Sequence, residues 1–356
     1  MNSSSIKQGV SGPLGPGTPG PAPRGGARKL GAAQRFLGKS LATVAALCAL
    51  AACGGGDTQE PFRPNRVLAF GDELSYIETD GRKYSINAFK ITDATTNPPT
   101  ESATELDCTR NPIWVQTVAT SFGLAFEGCL GAATAASGQI LAQPGHKVRD
   151  LPAQRVAAEA QGALNENDLA LMQVGMNDIR ELYDQYAANP ATTDRAALLA
   201  DARARATVYG EFINSLAQAG PAVVVLTVPD LGLTPFARKE NTDTGDATRS
   251  TLLSQLTDAF NSRMSVTLIN DGRLIGLVFI DIETQNMFRF PGSFALTNVL
   301  DAACQSTAVL PDCRTNTLVT GATATNYMWA DSIRPGPTVQ SRMGSLAEFR
   351  AKNNPF

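Results

Sequence analysis

Histidine is almost missing from this chain: His146 is the only one among 356 residues. With no Cys-x-x-Cys pair beside it, a histidine- or cysteine-built metal centre is poorly supported. Tryptophan occurs twice, and aromatic residues make up 6% of the chain. No glycine-rich phosphate loop is present, so no nucleotide cofactor is implied. No internal repeat is visible. The most apolar N-terminal run, Leu41–Leu50, falls short of the roughly 20 residues a bilayer-spanning helix needs. Acidic residues are absent from positions 1–52, which carry six Lys or Arg. The rest of the chain holds 24 basic and 33 acidic side chains, a formal charge of −9. An acidic surface argues against nucleic acid as a partner.

What is present at the N-terminus reads as an export signal. Gly12–Gly26 is rich in Gly and Pro and cannot pack a core; it is either disordered or the product of a start site placed too far upstream. Arg28, Lys29, Arg35 and Lys39 then form a basic region ahead of Leu41–Leu50. Leu50-Ala-Ala-Cys53 resembles the bacterial lipobox, in which the cysteine is acylated and becomes the first residue. A plain signal peptide with an accidental cysteine is the alternative. Gly54 after the cysteine is similar to lipoproteins sent on to the outer membrane. The expected organisation is a leader and signal peptide over 1–52, a lipidated tether over 53–64 and one globular domain over 65–356. Partners would be a membrane, reached through the anchor, and an unidentified ligand or envelope protein.

Cys48 would leave with the signal and Cys53 would carry lipid. Four cysteines remain: Cys108, Cys129, Cys304 and Cys313. An even number in an exported chain suggests two disulfides, with three possible pairings. Neighbour pairing, Cys108–Cys129 and Cys304–Cys313, is the reading favoured here, since each pair brackets one loop. A metal site is the alternative.

Beyond the tether, apolar runs and helical patterns alternate. Strands are expected at Arg66–Phe70, Asp168–Val174, Ala222–Val228 and Gly276–Asp281. The run Ala222–Val228, bounded by Gly-Pro and Pro-Asp, has the character of a central parallel strand. Helices are expected at Asn111–Phe122, with Pro112 in the first turn, and at Pro152–Leu164, Arg195–Ala219, Ser250–Asn270 and Thr338–Lys352. Gly220 is suited to close the third of these. Trp114 and Phe122 read as core; Trp329 either lines a cleft or packs under the last helix. Thr79–Asp107 and Pro291–Thr323 read as loops. The alternation implies an α/β fold, a three-layer α/β/α arrangement around a central parallel sheet.

Ligands of such sheets bind beyond the carboxyl ends of the strands, where three short sequences fall. Gly71-Asp72-Glu73-Leu74 follows the first strand. Gly175-Met176-Asn177-Asp178 follows Asp168–Val174. Asp331-Ser332-Ile333-Arg334-Pro335 precedes the final helix. In order and spacing they resemble blocks I, III and V of the SGNH or GDSL hydrolases, a family of lipases, esterases, thioesterases and carbohydrate deacetylases with a flavodoxin-like sheet. Val225–Pro235 and Phe260–Met264 resemble further stretches common in bacterial members, and the resemblance runs from about Arg66 to about Phe349. It implies an ester-hydrolase site in which residue 73 is the nucleophile position, residue 334 the base position and Asp331 the orienting acid. Asn177, and Gly131 as a candidate for block II, would form the oxyanion hole. Asp72, Asp178 and Pro335 read as turn and capping residues.

Two of those positions carry the wrong chemistry. Glu73 stands where the family has serine, and Arg334 where it has histidine. A carboxylate at 73 opposes an oxyanion forming beside it, and arginine stays protonated, so it is no base. Loss of a triad nucleophile or base costs about a million-fold in rate. Rescue would need Ser75 as a displaced nucleophile, His146 as a recruited base, or a Glu73–Asp331 carboxylate pair of the glycosidase kind. Against these stand the bland readings: Ser75 as a surface or capping serine and His146 as an exposed loop residue. Glu73 and Arg334 are instead expected to form an ion pair flanked by Asp331. Two function classes follow: a lipid-anchored binding or scaffold protein, or an ester hydrolase with an altered nucleophile and base.

Overall fold

A computed structural model describes residues 61–356 of the chain. The leader, the signal peptide, Cys48, Cys53 and most of the tether lie outside the described residues. Nine strands follow in chain order: β1 (Arg66–Gly71), β2 (Phe89–Asp93), β3 (Thr100–Leu106), β4 (Gly138–Ile140), β5 (Asp168–Gln173), β6 (Ala222–Leu226), β7 (Ile275–Val278), β8 (Asn298–Ala302) and β9 (Tyr327–Trp329). The eight α-helices described are α1 (Trp114–Ser121), α2 (Leu151–Ala160), α3 (Met176–Ala188), α4 (Arg195–Gln218), α5 (Pro235–Thr244), α6 (Thr248–Thr267), α7 (Ile280–Arg289) and α8 (Pro337–Asn353).

Five strands form one parallel sheet in the order β4-β1-β5-β6-β7. Every residue of β5 and β6 is buried, including side chains that point to opposite faces. Consecutive burial of that kind requires helices on both faces, which is why these strands read as unbroken apolar runs. α4 packs on α6, and α1 packs on α8, which also touches β6 and β7. The fold is α/β with a central parallel sheet flanked by helices. Arg66 pairs bidentately with Asp168 (2.6 and 2.9 Å) where β1 and β5 begin.

Several boundaries differ from the sequence reading, each for a local reason. The helix expected from Asn111 begins at Trp114, because Asn111 sits at φ 50° with its amide on the Ile86 carbonyl. Pro112 therefore precedes the helix, and Gln116 caps the Ile113 N–H. The strand expected over Gly276–Asp281 ends at Val278. Thr227 Oγ1 accepts the N–H groups of Ile280 (2.7 Å) and Asp281 (3.2 Å) and so starts α7. Thr79–Asp107 is not only loop: β2 and β3 form an irregular antiparallel hairpin within it. Pro291–Thr323 likewise contains β8, which pairs with β9.

The cysteines pair as neighbours, Cys108–Cys129 and Cys304–Cys313, with Cα separations of 5.7 and 5.9 Å. That excludes the metal-site alternative for these four thiols. A small satellite core of Ile86, Ala303, Leu310, Ala330 and the second disulfide lies under the two insertions. Lys83, fully buried, donates to the carbonyls of Cys108 (2.8 Å) and Arg110 (2.7 Å). Burial pushes its ammonium down to about 7.

Candidate functional site

The site is built where β1 ends. Gly71 has φ +127°, and a Cβ there would fall 1.7 Å from the Gln173 carbonyl oxygen. Only glycine fits that approach of two backbones. Gln154 holds the same residue from α2, accepting the Gly71 N–H (2.8 Å) and donating to its carbonyl (2.8 Å). Asp72 then caps a 3₁₀ turn over Glu73–Ser75 by accepting the Leu74 N–H at 3.0 Å. This turn aims the Glu73 side chain beyond the carboxyl end of the sheet.

Two other elements bring donors to that carboxylate. Gly175, at φ +127° with no room for a Cβ beside Phe260, opens α3 and sets Asn177 in its first turn. Asp178 Oδ2 accepts the Val148 N–H (3.0 Å) and fixes the loop that precedes α2. Glu73 Oε2 accordingly accepts from the Gly145 N–H (2.9 Å) and from Asn177 Nδ2 (2.9 Å). The Asn177 amide also donates to the His146 carbonyl (3.1 Å).

The other carboxylate oxygen meets arginine. Arg334 Nε (3.0 Å) and Nη2 (2.8 Å) both donate to Glu73 Oε1. Nη1 of the same guanidinium donates to Asp331 Oδ2 (2.6 Å). Asp331 Oδ1 accepts the N–H groups of Ile333 and Arg334, which shapes the turn carrying the arginine. The guanidinium carbon lies 5.5 Å from the centre of the Tyr84 ring. Glu73 is 1% exposed and Arg334 25%.

The electrostatics follow from this geometry. Burial by itself would raise the Glu73 carboxyl. The Arg334 charge, the Gly145 N–H and the Asn177 amide outweigh it, and the group is held below its ordinary range. Burial would lower Arg334, but Asp331 and Glu73 raise it. Asp72 has weaker support, the Leu74 N–H on one oxygen and the Arg334 charge beyond Glu73. It is fully buried, its Oδ2 is without a hydrogen bond among the described residues, and desolvation with the neighbouring Glu73 charge pushes its pKa well up.

Of the residues expected in the site, Glu73, Asn177, Asp331 and Arg334 are brought together. Gly131 is not. It sits at φ +58° against Thr109, beside the Cys108–Cys129 disulfide, and lines a separate cavity. The glycine N–H that meets Glu73 is Gly145, in the Pro-Gly turn ahead of His146. The bland readings of Ser75 and His146 also need correction. Ser75 is fully buried and accepts the Trp114 indole N–H (3.1 Å). His146 is half-buried, with Nδ1 2.9 Å from Gln154 Nε2. The Gly71 clamp fixes that amide as the donor, so Nδ1 is the acceptor. Trp114 is core; Trp329 is enclosed, its indole N–H on the Val299 carbonyl (3.0 Å). Phe122 is half-buried in an edge-to-face cluster with Phe62.

No protein-family model matches the chain, and no curated protein sequence matches it. Among solved structures, its fold is similar to that of lipolytic hydrolases and esterases at low identity. A member of the lipolytic G-D-S-L family from Veillonella parvula is 9% identical, with a TM-score of 0.36 over 79% of this chain and 95% of that one. An alpha/beta hydrolase from the metagenome of Lake Arreo, Spain, is 13% identical, with a TM-score of 0.38 over 83% and 97%. A carbohydrate acetylesterase from Sinorhizobium meliloti is 14% identical, with a TM-score of 0.34 over 80% and 97%.

Proposed function

We propose that this chain is an SGNH/GDSL-like envelope lipoprotein that does not hydrolyse esters and instead serves as a binding or scaffold protein. One observation carries the reading. The Glu73 carboxylate takes the two donors, Gly145 N–H and Asn177 amide, that an oxyanion would need. Arg334 locks it there from the other side. Residue 73 carries no hydroxyl, and the residue facing it, Arg334, cannot take a proton. Ser75, enclosed beneath Trp114, offers no nucleophile to an ester. Asp331, the expected orienting acid, serves to hold the arginine.

The resemblance of Leu50–Cys53 to a lipobox supports a lipid anchor at Cys53. The two disulfides suit an oxidising, extracytoplasmic compartment. Among the described residues no helix is long and apolar enough to cross a membrane. Conversion of Cys53→Ala should move the full chain from the detergent-rich to the aqueous phase in a cloud-point partition; an unchanged distribution would refute the anchor.

The activity test is hydrolysis of short-chain p-nitrophenyl esters by the full chain. The native protein should show no turnover above background, and Glu73→Ser/Arg334→His should gain it. Native turnover that disappears in Ser75→Ala would overturn the reading.

A further inference from the structure

A second site runs along the β4 edge of the sheet, outside the Glu73 group. It is a groove of about 600 Å³, inside the range of small-molecule sites, about 300–1,000 Å³. Asn65 and Gln161 line it near the start of β1, Gln139 on β4, and Gln143 and Tyr76 towards the carboxyl end; Glu127 stands on its rim. The chemistry of the lining narrows the occupant by exclusion.

An anion is disfavoured. The arginine in the groove, Arg66, is already neutralised by Asp168, and Glu127 is an acid. The lining also carries Ile77, Ile140 and Ala136, but these are fewer than its amides and sit among Thr79, Ser137, Arg66 and Glu127, which disfavours an acyl chain. An added peptide strand is disfavoured because the outer edge of β4 is already taken: Gly138 bridges Phe126 in parallel and donates to the Ala125 carbonyl (2.9 Å). What remains is a neutral molecule rich in hydroxyl groups. A glutamine or asparagine amide both donates and accepts, so it suits hydroxyls, which do the same.

Two details point to a ligand. The side chains of Asn65, Gln143 and Gln161 are exposed and make no hydrogen bond within the described residues, so their amides are free to meet a ligand. Gln139 is half-buried, with Oε1 enclosed and its amide unpaired among the described residues. Tyr76 is half-buried and offers a ring held by its tilted contact with Tyr84 (6.2 Å). A fixed aromatic ring provides apolar contact at low entropic cost, as the C–H face of a sugar needs.

We infer that this groove binds a segment of a neutral oligosaccharide, with Tyr76 as the platform and Gln139, Gln143 and Gln161 as the hydroxyl-reading amides. The inference goes beyond the Glu73 site and holds whether or not that site hydrolyses esters.

The test is titration calorimetry of the full chain in a polyoxyethylene detergent, which carries no sugar head group. The probes are neutral tetrasaccharides of β-1,4-glucose, α-1,4-glucose and β-1,4-N-acetylglucosamine. At least one should saturate the protein below about 1 mM, and Tyr76→Ala or Gln139→Leu should weaken it about ten-fold or more. Gln161→Ala, an exposed change that leaves the core intact, should weaken it as well. Phe349→Ala, an exposed position on α8 outside the groove, should leave binding unchanged. Failure of all three tetrasaccharides to bind, or binding indifferent to all three groove variants, would overturn the assignment.

Discussion

Breaking the Glu73–Arg334 pair from one side should cost far more than removing its charge from both. In Arg334→Met the Glu73 carboxylate, 1% exposed, keeps only the Gly145 and Asn177 donors and loses its counter-charge. Truncating one partner of a buried pair costs about 3–5 kcal/mol. With an unfolding entropy of about 2.1 cal/mol/K per residue over residues 61–356, that is a fall in Tm of roughly 5–8 °C. Glu73→Gln/Arg334→Met keeps an acceptor for both donors and has no charge to bury, so it should recover about 2–3 kcal/mol of that loss. The coupling should also depend on pH. The native Glu73 pKa is depressed, so its contribution is complete above the ordinary glutamate value and fades as pH falls through the native one. In Arg334→Met the unpaired carboxyl can protonate, so the penalty should shrink on going from pH 7 to pH 4. The assay is a double-mutant cycle by urea unfolding, with disulfides intact, at both pH values. Single-mutant costs that add to within about 0.5 kcal/mol at pH 7 would refute the coupling.

Other perturbations act on the frame beneath that pair. Asp72 has a native pKa far above its unfolded one, so its ionisation opposes folding as pH rises from the ordinary aspartate value upward. Asp72→Asn keeps an acceptor for the Leu74 N–H and removes that charge. It should raise Tm at pH 8 and leave it nearly unchanged at pH 3, as followed by circular dichroism; equal shifts at both would refute a charge-based cause. Gly71→Ala puts a Cβ into the Gln173 carbonyl at a φ alanine rarely adopts, and should lower stability by more than about 3 kcal/mol or prevent folding. Near-native urea stability in that variant would show that the two strands can separate at little cost.

How much of this was legible in the sequence depended on how far each signal reaches. β5 and β6 were readable because a strand covered on both faces must be apolar at every position. The β2–β3 hairpin was not, because most of its residues are exposed and their Thr-rich sequence carries no alternation. The pairing of Glu73 with Arg334 was readable because each stands in a recognisable short sequence at a sheet end. Gly145 was missed in favour of Gly131. A backbone N–H carries no side-chain signature, and its aim depends on Asp178 holding the Val148 amide from a different helix. The surroundings of His146 were hidden for the same reason: its ring meets Gln154, which is oriented by the backbone of Gly71.

The salt bridge at the head of the site has a consequence for change over time. Any stepwise path from Glu73 and Arg334 to serine and histidine passes through a protein carrying one of the two charges without the other. Arg334→His first would leave a buried carboxylate facing an imidazole; Glu73→Ser first would leave the guanidinium with Asp331 alone and the Gly145 and Asn177 donors without their carboxylate. Each intermediate keeps one side of the ion pair without the other. The bridge thus works as a ratchet: each residue makes the other costly to replace, and the present pair is held by mutual dependence.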